Sequence, residues 1–155
     1  MPPQSFAFFA NICRYVLEPG HGSVFTVAHA GRPIAAAIFF HRAQHVIYKF
    51  GASDFSSQQM RPNNLLMWEA IQHYAGLGFG VLDFGRTARD NYGLGRFKRG
   101  FGARERRIQY ARYGFSEEKF VSEPESAVGR FGWVVRSLPG SLLRFVGSIL
   151  YRHRS

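Results

Sequence analysis

The sequence predicts an α/β (α+β) fold: a mixed, mostly antiparallel sheet with one βαβ crossover and flanking helices. Three closely connected β-type segments, at 24–30, 34–41 and 45–50, favour an antiparallel meander. A helical pattern at 64–76 separates the third segment from a short strand at 81–84, and such crossovers are almost always right-handed and parallel. The 155 residues suit one domain, since 46% hydrophobic and 19% charged residues allow a core.

The N-terminal segment 5–17 predicts a helix, because apolar side chains recur every three to four residues and Pro19-Gly20 ends the pattern. Its phenylalanines indicate a face that needs cover from the core or from a partner. Cys13 lies on this helix and is interpreted as a core filler. As the single cysteine, it excludes an intrachain disulfide and a thiolate metal cluster, and it fits a reducing compartment.

The strands of the meander are predicted from their residue types and from the turns between them. The first begins with the β-forming run Val24–Val27. Gly31-Arg32-Pro33 forms a turn, and the second strand, Ile34–His41, is apolar on both faces. The short turn Arg42-Ala43-Gln44 then leads into the third strand, which starts at His45.

A crossover helix follows the third strand. The polar segment 51–61 predicts a loop, and Pro62-Asn63-Asn64 predicts a helix start, with proline near the first helical position and asparagine able to cap. Gly76 and Gly78 stop the helix. Its predicted apolar stripe is Met67, Ala70, Ile71 and Tyr74.

Three shorter elements are predicted after the crossover helix. Val81, Leu82 and Phe84 indicate a short buried strand. Residues 92–100 predict a short helix, weakened by glycines, and the alternation over 106–113 predicts a final strand.

The chain divides by composition into a domain, a linker and a tail. Residues 1–115 form the predicted domain, 116–126 an acidic linker, and 127–155 an amphipathic tail. Within the tail, 140–153 predict a helix with apolar side chains on one face and arginines opposite or at its end. We expect this helix to pack on the sheet. The alternative is peripheral contact with an anionic inner membrane face.

The charge balance favours a polyanionic partner. Twenty Lys and Arg against ten Asp and Glu give a net charge of +10, which suits phosphate-bearing substrates, nucleic acid or an anionic membrane. The alternative is a solvated basic surface. No apolar run reaches the roughly 18–20 residues of a transmembrane helix, and the N-terminus lacks the order of a signal peptide. We therefore expect a cytoplasmic protein.

The segment 86–102 concentrates cations among glycines. Glycine lets the backbone approach a ligand closely, and cations can neutralise phosphate or a developing oxyanion. Phe97 and Phe101 are expected to anchor the segment. The alternative is a basic turn that folds around the end of the sheet. The cations are Arg86, Arg89, Arg96, Lys98 and Arg99.

Other candidate groups give weaker signals. The start of the crossover helix is a natural anion site, yet segment 51–64 lacks the glycine spacing that wraps a pyrophosphate. Asp54, Glu69 and Asp83 are the carboxylates nearest these loops; each can accept a proton from an amine or serve structure alone. The six histidines show no metal-ligand spacing, so no metal site is predicted.

The ordered strings YKFGASD, RPNNLLMWEAI, GFGVLDFGR and GLGRFKRGFGA resemble the C-terminal acyltransferase lobe of FemAB-like proteins, which belong to the GNAT-fold superfamily. The resemblance runs from about Val24 to Tyr113. The sequence is especially similar to the FemAB-like proteins linked to exopolysaccharide and exosortase systems of the bacterial cell envelope. The resemblance implies a GNAT fold, whose sheet splays beside the crossover.

The resemblance also implies N-acyl or aminoacyl transfer, in which an amine attacks an activated ester or thioester. The donor would be acyl-CoA or aminoacyl-tRNA. The lysine of the family's Phe-Lys pair falls on Lys98, beside Phe97, at the reaction centre. The usual pyrophosphate loop of GNAT proteins is missing near 57–64. The family generally carries two lobes, whereas this chain has length for one.

These observations give one principal hypothesis and one rival. The principal hypothesis is a FemAB-like N-acyltransferase lobe that binds an anionic acyl donor and works with a second lobe or as a homodimer. The rival is a non-catalytic or degenerate lobe that holds RNA or a phosphorylated carrier lipid in the same basic cleft. The hypothesis assigns Lys98 and Asp83 to catalysis, and it assigns substrate binding to Arg86, Arg96, Phe97, Tyr48 and Asn64.

Overall fold

A computed structural model describes residues 4–116 and 118–121. Residues 11–104 form one compact unit, while the described segments 4–10 and 105–121 belong to another. The predicted tail, including the helix at 140–153, and most of the predicted linker lie outside the described residues. The boundaries at 115 and 126 stay predictions.

The main sheet has four strands in the order β1-β2-β3-β4. The first three pair antiparallel, and β3 pairs parallel with β4. The predicted meander and the parallel crossover are therefore confirmed. The strands are β1 Gly22–His29, β2 Arg32–Arg42, β3 His45–Ser53 and β4 Val81–Asp83.

The described residues contain three α-helices. The first, α1, spans Phe6–Ile12 and continues as a π-helical segment, Cys13–Leu17. The helix predicted at 5–17 is therefore confirmed. The crossover helix α2 spans Pro62–Gly76, and α3 spans Tyr92–Arg99. In the other unit, β5 (Arg112–Gly114) and β6 (Lys119–Val121) form an antiparallel hairpin.

The core lies between α2 and one face of the sheet. The predicted stripe is confirmed, since α2 buries Met67, Ala70 and Tyr74, and Ile71 packs against the same cluster. On β2, Ala35, Ala37 and Phe39 alternate toward this face, and the small alanines let α2 approach. Burial of each large side chain stabilises the fold by about 1.5–3 kcal/mol. The sheet is thereby fixed against α2, which positions the ends of β3 and β4.

The predicted loop at 51–61 is wrong. The third strand continues to Ser53, because β2 is long enough to pair with it through Ala35. A 3-10 helix, Phe55–Met60, fills the rest, and Asp54 caps it by accepting a hydrogen bond from the Ser56 N–H at 3.0 Å.

Asparagine capping of α2 is also wrong. With Pro62 at the first helical position, Asn63 and Asn64 fall inside the first turn. The cap position belongs to Arg61, whose φ of 50° lies in the left-handed region and whose side chain makes no cap bond. The side chain of Asn63 instead donates to the Ser53 hydroxyl at 3.0 Å. It thereby joins the start of α2 to the end of β3.

Three further predictions fail through exposure. Cys13 is exposed rather than a core filler. Val81 is 47% exposed, because β4 is an edge strand of the four-stranded sheet. The strand predicted at 106–113 is limited to β5; Ile108 and Tyr110, which suggested alternation, are 58% and 74% exposed. In the described part of the chain, no helix has the length and apolar character needed to cross a membrane.

Candidate active site

The strands β3 and β4 separate shortly after they pair. Their parallel ladder joins residues 45–47 to residues 81–83 and then ends. Beyond it, β3 continues to Ser53 along β2, whereas the chain after Asp83 turns at Gly85, whose φ is 69°. We call the opening between residues 48–53 and 84–86 the β3/β4 fork. Along the fork, one side of β3 has no strand partner among the described residues.

Lys98 reaches the fork from α3. It is buried, with 7% of its surface exposed, and its Nζ donates to the carbonyl oxygens of Gly85 at 2.9 Å and Arg86 at 3.2 Å. The ammonium therefore fixes the turn that follows β4. An ammonium has three N–H groups, so one remains after these two hydrogen bonds.

Asp83 supports the same turn from the end of β4. Its Oδ1 accepts a hydrogen bond from the Gly85 N–H at 2.6 Å. Burial lowers the pKa of Lys98, and the negative charge of Asp83 opposes this by raising that pKa. Lys98 and Asp83 are thus coupled through both the turn and their charges.

Helix α3 is built to present Lys98 inward. Asn91 caps it by accepting from the Leu94 N–H at 3.0 Å, as asparagine commonly does. Gly95 and Lys98, three residues apart, share the buried face of the helix. Phe97 packs against the core cluster and against Phe101, with ring centroids 5.2 Å apart. The expectation that these two phenylalanines anchor the cationic segment agrees with this packing.

Tyr48 lines the fork on β3. Its ring packs against Phe39, with centroids 5.3 Å apart, and burial raises the pKa of its phenol above the ordinary 10.0. A side-chain carbon placed on Gly85 would lie 3.6 Å from the Tyr48 carbonyl oxygen. Tyr48 is therefore close to the turn that Lys98 holds.

The remaining predicted site residues lie farther apart. Arg86 belongs to the turn, and its side chain is exposed. Arg96 is exposed on α3, two positions from the buried Lys98. Asn64 is exposed in the first turn of α2, next to Asn63, whose side chain donates to the Ser53 hydroxyl. Ser53 follows Tyr48 by five residues, which is about 15 Å along β3.

The start of α2 offers few backbone donors to an anion. Pro62 has no N–H, and the N–H groups of Asn64 and Leu65 both donate to the Arg61 carbonyl, at 3.0 and 3.4 Å. This arrangement gives a physical reason why the glycine-rich phosphate loop and its bundle of free N–H groups have no counterpart here.

The other candidate acids and histidines have structural contacts. Hydrogen bonds from Ser56 lower the pKa of Asp54, which caps the 3-10 helix. Glu69 is exposed on α2. His41 donates from Nε2 to the Gly20 carbonyl at 2.9 Å, and its Nδ1 lies 3.4 Å from the Tyr74 hydroxyl. In the ranges the structure covers, no three His, Cys, Asp or Glu side chains converge as metal ligands.

Sequence reasoning missed the backbone part of this site. The carbonyl of Gly85 and the cap at Asn91 were not identified, although glycine before a cation and asparagine before a helix are both usable signals.

A sheet that forks beside a βαβ crossover is the architecture expected of GNAT-type acyltransferases. The family model described as "Acetyltransferase (GNAT) domain" matches residues 1–99, which include every predicted site residue. The chain belongs to this family. It is therefore an N-acyltransferase of the GNAT type by family. No curated protein matches the chain.

Solved structures agree with the fold. The aminoglycoside acetyltransferase AAC(6')-Iy, in complex with a CoA bisubstrate analogue, aligns with a TM-score of 0.61 at 16% identity, covering 73% of this chain and 83% of that one. The ribosomal-protein-S18-alanine N-acetyltransferase of Escherichia coli aligns with a TM-score of 0.60 at 18% identity, covering 76% of this chain and 72% of that one. AAC(6')-Ih of Acinetobacter baumannii aligns with a TM-score of 0.58 at 10% identity, covering 73% of this chain and 84% of that one. At such identities the likeness shows the GNAT fold alone.

Proposed function

We propose that the chain is a FemAB-like acyltransferase lobe that transfers an acyl or aminoacyl group from an activated ester or thioester to an amine. The observation that carries this proposal is the buried ammonium of Lys98, fixed at the β3/β4 fork by two backbone carbonyls. A cation held in a low-dielectric site without reorganisation is what a developing oxyanion needs. The four ordered sequence strings supply the FemAB-like part of the proposal.

The proposed reaction is direct transfer. The amine nitrogen attacks the carbonyl carbon, a C–N bond forms, and the carbonyl oxygen becomes negative. The third N–H of Lys98 stabilises that oxygen. The second carboxylate oxygen of Asp83 accepts the proton that the attacking amine loses. The C–S or C–O bond then breaks, and this proton passes to the leaving thiolate or alkoxide. Before the reaction, the negative charge of Asp83 also favours the charged form of Lys98.

The donor is proposed to be anionic and held by side chains. The start of α2 presents few free N–H groups, so a phosphate there depends on cations and amides rather than on a backbone cradle. Arg86 and Arg96 are proposed to bind the charge of the donor, and Asn64 its distal part. Phe97 holds α3 in place. Both acyl-CoA and aminoacyl-tRNA fit this chemistry.

Turnover with labelled donors tests the function. The full chain is incubated with radiolabelled acetyl-CoA or with aminoacyl-tRNA, with a lysine-containing cell-wall peptide precursor as the amine acceptor. Transfer of label by the wild type, and about 100-fold less by Lys98→Met, supports the proposal. Tight binding of RNA or of a phosphorylated carrier lipid without any transfer would instead favour the non-catalytic lobe.

A second lobe is part of the proposal. FemAB-like proteins build their acceptor cleft from two lobes, so we propose that this chain works with another GNAT lobe or with a second copy of itself. Its acceptor is proposed to be a cell-envelope or exopolysaccharide precursor. Transfer that rises steeply with protein concentration, in parallel with dimer formation measured by sedimentation, would support the second copy.

A further inference from the structure

One extra residue in β3 brings two distant positions onto the same face. The register passes from Ile38↔Phe50 to Phe39↔Tyr48, so Lys49 is left over as a bulge. In a regular strand, residues three apart point to opposite faces. Because of the bulge, Tyr48 and Gly51 instead lie opposite Phe39 and Ala37, which both face the core.

Tyr48 uses the space above Gly51. A side-chain carbon on Gly51 would coincide with the Tyr48 hydroxyl oxygen and lie 2.8 Å from the ring carbon Cζ. Neither distance is tolerated by real side chains, so any larger residue at 51 must displace the ring. Gly51 has no positive φ. The glycine is therefore needed for this close approach and not for its backbone angles.

The Tyr48 hydroxyl is a donor held ready at the fork. Among the described residues it has no hydrogen-bond partner. Burial raises the pKa of the phenol, so it stays protonated and neutral near pH 7. It lies on the face of β3 that leads to Ser53, where Asn63 of α2 is bonded. A donor molecule that extends from the start of α2 to the fork passes this hydroxyl.

We propose that Tyr48 donates a hydrogen bond to a carbonyl oxygen of the acyl donor, and that Gly51 is the positioning residue that gives the phenol its place. The inference rests on the proposed function, since it needs an acyl donor along β3. Tyr48 and Gly51 together then determine which donors fit the fork.

The hydrogen bond is tested with Tyr48→Phe, which keeps the ring. Affinities are measured by calorimetry for acetyl-CoA and for a non-hydrolysable alanyl-tRNA analogue. We expect the Kd of the donor that the wild type binds to rise about three- to tenfold, the usual worth of a neutral hydrogen bond, with an unchanged melting temperature. An unchanged Kd would overturn the inference and leave the proposed function standing. A wild type that binds and transfers neither donor would overturn both.

The role of Gly51 is tested by a double-mutant cycle. Gly51→Ala alone is expected to raise Kd about fivefold or more, because it displaces the ring. In the Tyr48→Ala background the same change should alter Kd less than about twofold, since the clash is gone. Equal effects in both backgrounds would refute the positioning role. Gly76→Ala is the matched control, because no atom lies within 4 Å of its added carbon.

Discussion

Replacement of Lys98 by methionine distinguishes the two hydrogen bonds that its ammonium makes at the fork from the packing of its side chain. Methionine keeps most of the length of the side chain and removes the ammonium that bonds the Gly85 and Arg86 carbonyls. Each hydrogen bond from a charged donor contributes about 1.5–3 kcal/mol. Part of this loss in stability is offset, because the variant has no ammonium that must be desolvated on folding. We expect a net loss of about 2–4 kcal/mol, or a fall in melting temperature of about 5–15 °C.

The assay has two measurements. Urea unfolding gives the stability of Lys98→Met, and kcat is measured at a temperature where the variant is fully folded. We expect kcat to fall about 100-fold beyond the loss of folded protein. Lys49→Met is the stability control; Lys49 is exposed, with its Nζ 5.9 Å from the Phe50 ring, so its loss should cost no more than about 1 kcal/mol.

Two results would refute this reasoning. If Lys98→Met unfolds at the same urea concentration as the wild type, the two carbonyl bonds do not hold the turn. If stability falls as expected but kcat per folded molecule is unchanged, Lys98 supports structure alone and the oxyanion role is wrong.

Three further predictions follow from the same structure. The first concerns pH: below the lowered pKa of Lys98, the lysine is charged in both the folded and the unfolded chain, and burying the charge lowers the stability by its full amount. Between that pKa and the ordinary value of 10.5, the unfolded chain binds more protons than the folded one. The stability of the wild type relative to Lys98→Met should therefore rise with pH in this range. Urea unfolding over this pH range measures the difference, and a flat or falling difference contradicts it. Gly85→Ala should lower the free energy of unfolding by about 1 kcal/mol or more, because residue 85 has a φ of 69°. Gly76→Ala in α2 should instead raise it by up to about 1 kcal/mol. Thermal unfolding compares the two variants, and equal effects would argue against strain at Gly85. Removal of residues 139–155 should lower the melting temperature. When the full chain and the truncated chain are each centrifuged with anionic vesicles, both should stay in the supernatant. Sedimentation of the full chain but not of the truncated chain at low salt would favour the membrane alternative.

The sheet and its crossover could be predicted because their signals are local. Residue type and short turns marked β1 to β3, and the stripe on α2 marked its buried face. The end of β3 could not be predicted, since residues 51–53 are strand only because β2 provides partners. Likewise, the alternation of Ile108 and Tyr110 is not matched by burial in the described part of the chain, where these side chains are 58% and 74% exposed.

The candidate site divides in the same way. Lys98 was identified from its charge among glycines and from the FemAB-like strings, and it reaches the fork as a buried side chain. Its partners are backbone carbonyls, which every residue has, so no pattern of side chains indicates them. The pairing of Tyr48 with Gly51 depends on the register of β3 against β2, a property of two strands together.

The bulge at Lys49 decides which spacing along β3 keeps the tyrosine and the glycine on one face. With the bulge, residues three positions apart both lie opposite core-facing residues of β2. Loss of the bulged residue would leave the tyrosine and the glycine two positions apart, a spacing that a regular strand also places on one face. Loss of the bulge without loss of a residue would instead turn one of the two to the opposite face. Descendants of this sequence should therefore keep the bulge and the three-residue step together or lose both, whatever residue stands at the bulge.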